Sequence, residues 1–167
     1  MVSYIVKMIN TKSFTAYGDI PGHTTAAGGT IPANLCPTLE KPDLVIIDEK
    51  KKTVDLFELT VPGELRISVS NKLKADRYDH FKKDINNEYK TTITPIEISC
   101  TGHVTRENRD RLRKIHKFTD KSKTLKQFIQ DISYITILSS YYIFITRNEP
   151  AWSDPPFITP PSNKVRV

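Results

Sequence analysis

Asp43-Leu-Val-Ile-Ile-Asp48, Glu49-Lys-Lys-Lys52, Thr53-Val-Asp-Leu-Phe-Glu-Leu-Thr60: two β-rich runs stand either side of four polar residues. A pair of such runs joined by a short polar loop predicts a β-hairpin. Both runs are almost continuously apolar, the pattern of strands covered on both faces at the centre of an α/β sheet. In an antiparallel pair the numbers of facing residues have a constant sum. A turn centred between Lys50 and Lys51 makes that sum 101, which sets Ile47 against Val54, Val45 against Leu56 and Asp43 against Glu58.

Two carboxylates then face each other at the open end of the hairpin. Directly opposed side chains have Cβ atoms ~4.5–5.5 Å apart, so the like charges repel unless a cation neutralises them. Mg2+ is commonly held by one or two carboxylates together with water and phosphate oxygens, and Asp43 with Glu58 are the candidate metal ligands. The competing expectation is that both acids end their strands in water, as most acids do.

Outward from the hairpin, the period changes after Pro62-Gly63. Ile67, Ser70, Lys74, Tyr78, Phe81 and Ile85 recur at helical spacing and predict a helix from about 64 to 87. Lys74 falls in the middle of the apolar stripe, where an ammonium must snorkel out or meet an anion. Arg77 flanks that stripe. Thr91–Ser99 alternates and predicts a third strand, with Pro95 arguing for an edge position or a bulge. Thr105 and Glu107 open a charged, solvated helix reaching Lys117. From Thr124 the chain is helical through Ile132, and beyond it helix and strand are not separable by pattern.

Ile132–Ile145 is some 14 residues long, short of the ~20 that cross a bilayer, and is expected to be buried core with no membrane contact. Upstream, residues 11–42 are dense in Gly and Pro and form an arm, with Phe14–Tyr17 as a short strand or helix end. The tail, 150–167, holds five prolines and is expected to be extended. One domain over 1–149, including the arm, follows from a length of 167 residues.

Composition is that of an ordinary soluble protein, with 38% hydrophobic and 26% charged residues. A net charge of +6 biases the chain toward polyanionic partners. A basic cluster, Arg106, Arg109, Arg111, Arg113, Lys114, Lys117, Lys121, Lys123 and Lys126, suits phosphate contact or a plain solvated face. Cys36 and Cys100 form no framework, which fits a reduced, intracellular compartment. The four histidines lack zinc-ligand spacing.

Lys41-Pro42-Asp43, then fourteen residues, then Glu58-Leu59-Thr60, then Lys74-Ala-Asp-Arg77-Tyr78 resembles the PD-(D/E)XK restriction-endonuclease-like superfamily. Within it the pattern is most similar to the endonuclease domain of site-specific non-LTR retrotransposon proteins. Tyr17–Gly22 and Glu97–Gly102 extend the likeness over roughly 14–148. The resemblance implies a mixed central sheet flanked by helices and Mg2+- or Mn2+-dependent nicking of DNA. It implies Asp43, Glu58 and Lys74 as catalytic residues, with Arg77, Tyr78 and Thr60 supporting the site or contacting DNA. A nuclear location, alone or as part of a retrotransposon polyprotein, follows from the same likeness. Thr60 stands where the usual motif has lysine, so the cationic role passes to Lys74. The alternative is a catalytically silent nucleic-acid-binding or interaction module on the same fold.

Overall fold

In the computed structural model, residues 1–18, 42–62 and 88–146 are described. The expected 64–87 helix, with Lys74, Arg77 and Tyr78, therefore lies outside the described residues. So do most of the arm and the whole Pro-rich tail.

The predicted hairpin is present in the expected register. Strand β2 (Leu44–Asp48) pairs antiparallel with β3 (Thr53–Thr60), Leu44 against Phe57 and Val45 against Leu56. The loop is pinned by Asp48, whose Oδ1 accepts from the amides of Lys50 and Lys51, both at 3.1 Å. Lys52 adopts a left-handed φ of 51° to close it. Strand β1 (Thr15–Gly18) adds antiparallel to β2, resolving Phe14–Tyr17 in favour of a strand.

Strand β4 (Lys90–Glu97) pairs parallel with β3, giving a mixed sheet in the order β1-β2-β3-β4. Among the described strands β4 is an edge, one of the two positions that Pro95 allowed. A parallel partner requires a crossover between Thr60 and Lys90, most of which lies outside the described residues.

Among the described residues, three helices complete a general α/β architecture: α1 (Val2–Met8), α2 (Arg106–His116) and α3 (Leu125–Thr146). They share one sheet face. Ile5 of α1, Leu112 and Ile115 of α2, and Phe128 and Ile132 of α3 bury against Leu44, Ile46, Phe57 and Ile96. Side chains of opposite parity, Val45, Ile47, Val54 and Leu56, are buried on the other face with Tyr17, Tyr89 and Ile93 beside them. Both faces of the hairpin are therefore covered, as its apolar runs predicted.

Thr105 caps α2, its hydroxyl accepting from the Asn108 amide at 3.2 Å. The expected charged helix is present, and between its solvated charges Asn108, Leu112 and Ile115 form a buried stripe that the charged pattern did not show. At the start of α3, Asp131 accepts from the Tyr4 hydroxyl at 2.7 Å and from the Lys123 ammonium at 2.5 Å, tying α1 to α3.

The expectation that Ile132–Ile145 is buried core is corrected too. The segment is helical, and Ile132, Ile135 and Thr136 face inward while Tyr134, Ile137, Tyr141, Ile143, Phe144 and Ile145 are exposed. Length is one cause: a helix of 22 residues reaches about 33 Å, whereas a strand of eight reaches only about 26 Å. By length and composition alone α3 is sufficient to cross a membrane.

Candidate functional site

Asp43 immediately precedes β2, and Glu58 lies two residues from the end of β3. One step beyond the last paired residues, the hairpin register sets them opposite each other. Parity puts both side chains on the face of Val45 and Leu56, away from the three helices.

Their environments differ. Asp43 is half-buried, and its Oδ2 accepts from the Leu59 backbone amide at 2.7 Å. This bond continues the strand ladder past its last residue and fixes the carboxylate against β3. A carboxylate has two oxygens and about four acceptor positions, of which the Leu59 amide occupies one. Glu58 is only 8% exposed. The expectation of two acids in water at strand ends therefore does not describe Glu58. A carboxylate at that depth is costly unless paired or bonded.

Thr60 ends β3, where its carbonyl accepts from the Ile98 amide at 3.0 Å. Its partner across the parallel pair is Glu97, the last residue of β4. Glu97 is 3% exposed and, by parity with Ile93, shares the face of Glu58. Sequence reasoning quoted Glu97 only within a longer segment and did not place it at the site. The available signal was alternation: Ile96 and Ile98 turn to the helices, so Glu97 between them turns to the acid-bearing face.

Glu97 is also where α2 is anchored. Its backbone amide donates to Asn108 Oδ1 at 3.1 Å, and the Asn108 amide nitrogen donates to Thr105 Oγ1 at 3.1 Å. Arg111 adds a bond to the Pro95 carbonyl at 2.8 Å. The first turns of α2 thereby lock to the end of β4 that carries the acids.

The donor set fits a hard divalent ion of the Mg2+ kind, with carboxylate oxygens from Asp43 and Glu58 and further positions for water or phosphate. Among the described residues, no three His, Cys, Asp or Glu side chains gather closely enough to form a complete protein cage. Of the basic cluster, Arg111 and Arg113 pair with Glu107 and Asp110 on α2 itself. Arg106, Arg109, Lys114 and Lys117 are exposed.

No protein-family model, curated protein or solved structure matches the chain.

Proposed function

We propose that this chain is a metal-dependent endonuclease that hydrolyses DNA phosphodiester bonds, a restriction-endonuclease-like domain of the retrotransposon nicking type. The observation that carries the reading is the opposition of Asp43 and a buried Glu58 across the end of one hairpin. A mixed sheet with helices packed on it is the architecture that the resemblance implies, and the chain's general α/β fold is compatible with it.

In this reading Asp43 and Glu58 hold one or two Mg2+ or Mn2+ ions. An ion held there by Asp43 and Glu58 would supply positive charge at the scissile phosphate and activation of the attacking water. The Leu59 amide keeps Asp43 aligned, and burial of Glu58 limits its rotamers, so neither acid needs to reorganise when phosphate arrives. Lys74 takes the cationic role that Thr60 cannot fill, with Arg77 and Tyr78 supporting the site or the strand. The net charge of +6 favours approach to the DNA backbone. Nuclear action, alone or within a retrotransposon polyprotein, belongs to the same proposal.

The decisive variant is Asp43→Asn. Its side-chain oxygen still accepts from the Leu59 amide, while the charge that binds metal is gone. Nicking of supercoiled DNA in Mg2+ is expected to disappear, with folding and DNA retention in a gel-shift assay unchanged. Nicking equal to wild type refutes the proposal.

A second reading, the silent binding module, is favoured by Thr60 and by the Asp43–Leu59 bond, which is sufficient by itself to give Asp43 a structural role. Metal titration separates the two. A site that binds Mg2+ or Mn2+ raises Tm with metal concentration, whereas a silent module leaves it flat.

A further inference from the structure

We propose that the outer face of α3 is a homodimer seam, on which a second copy of this chain packs its own α3 antiparallel. The exposed apolar residues Tyr134, Ile137, Tyr141 and Phe144 are spaced three, four and three apart, the a/d pattern of a helix that meets another helix. Ile145 flanks the stripe. Tyr141 is 61% and Phe144 59% exposed. At 100° per residue the stripe lies nearly opposite the inward row of Phe128, Ile132, Ile135 and Thr136. Thus α3 carries two apolar faces: one packs on the sheet, and on the other, among the described residues, Ile137 lies against Gly102 while Tyr134, Tyr141 and Phe144 are exposed.

The spacing is palindromic. An antiparallel partner in register sets Tyr134 against Phe144 and Ile137 against Tyr141 of the other copy, and the reverse, the self-complementarity that a two-fold interface demands. No charged residue occurs between Ile132 and Thr146, so two chains of net charge +6 meet without burying an ion. With ~150–250 Å2 per aromatic side chain, the exposed fractions amount to roughly 500 Å2 per chain and about 1,000 Å2 across the pair. That area is at the lower bound for a specific interface, so the dimer is expected to be weak and concentration-dependent.

A bilayer fits the same face poorly. The uncharged run from Ile132 to Thr146 spans about 22 Å as a helix, against ~30 Å of hydrocarbon. Any 18-residue stretch within α3 includes Asp131, which is bonded to Tyr4 and Lys123.

Sedimentation velocity of the full chain over two decades of micromolar concentration tests the seam. The expected result is a concentration-dependent shift from monomer to dimer in the wild type. Tyr141→Lys is expected to remain monomeric at every concentration with an unchanged circular dichroism spectrum. If that variant fails to fold, Tyr141→Ser is expected to weaken the dimer at least tenfold. A wild type that stays monomeric throughout, a folded Tyr141→Lys that still dimerises, or a monomer that floats with neutral phosphatidylcholine vesicles overturns the proposal.

Discussion

Replacing Gly102 with alanine is expected to destabilise the chain through two separable effects at the turn that joins β4 to α2. Gly102 has φ +78°, and its amide donates to the Ser99 carbonyl at 2.7 Å. A side chain in the left-handed region costs about 1–2 kcal/mol. The added Cβ also meets Ile137 Cγ1 at 2.7 Å, Ile137 Cδ1 at 2.8 Å and the Ser133 carbonyl oxygen at 2.9 Å. Ile137 is the flexible partner, whereas the carbonyl is fixed by α3, so crowding adds about 1–3 kcal/mol. Together about 2–5 kcal/mol is lost, which for a chain of this size lowers Tm by roughly 5–15 °C. Thermal melts followed by circular dichroism measure it. Because Ile137 lies on the proposed seam, the melts use dilute protein. Repeating the substitution in an Ile137→Ala background removes the two shortest contacts and is expected to return about 1 kcal/mol, a coupling seen only between touching residues. A Gly102→Ala melt within about 2 °C of wild type, or an equal penalty in both backgrounds, refutes the assigned causes.

Asn108→Ala leaves the buried Glu97 amide without its acceptor and is expected to cost about 2 kcal/mol in urea unfolding. A cost below about 0.5 kcal/mol means water replaces the bond. Thr94 is 3% exposed and its hydroxyl has no hydrogen-bond partner among the described residues, so Thr94→Val is expected to be neutral or stabilising. Clear destabilisation reveals a partner for that hydroxyl. Burial pushes the Asp55 carboxyl above the ordinary range, against the pull of Lys114 and Lys117. The folded chain therefore keeps this proton where the unfolded chain has lost it, and stability falls as pH rises through that interval. Asp55→Asn is accordingly expected to gain Tm over wild type at neutral pH, with the gain fading as pH drops toward about 4, where folded and unfolded chains both hold the proton. A difference independent of pH contradicts the assignment.

How much of the fold was legible depends on which interaction fixes each element. Turn position and two-residue alternation specify the hairpin register locally, and the structure reproduces it residue for residue. The strand at 90–97 was equally local, but its direction was not, since parallel pairing with β3 depends on contacts far apart in sequence. The segment after Ile132 defeated pattern reading because α3 is apolar on both faces. Periodicity distinguishes a helix only when one side is polar. Helix α1 also escaped, because Val2–Met8 is too short to show a period and is held by packing of Ile5 and Val6 on the sheet.

The acids illustrate the same division. Opposition of Asp43 and Glu58 was readable, since one sum fixes every pair in a hairpin. Burial of Glu58 was not, because the ends of isolated strands look exposed and only the parallel neighbour β4 carries the sheet past them. That neighbour brings Glu97 to the same face and leaves Thr60 between the two glutamates in the lattice of the sheet. The consequence is electrostatic. Three carboxylates at one sheet end, two of them less than a tenth exposed, are tolerable only with compensating cations or hydrogen bonds. A metal held by Asp43 and Glu58 makes Tm rise with Mg2+, and Glu97→Gln, which removes a nearby negative charge, is expected to weaken that rise. Compensation by fixed protein groups makes Tm indifferent to Mg2+ and makes Glu97→Gln destabilising. The response of Tm to Mg2+, compared between wild type and Glu97→Gln, therefore distinguishes a site that receives a cation from one already closed on itself.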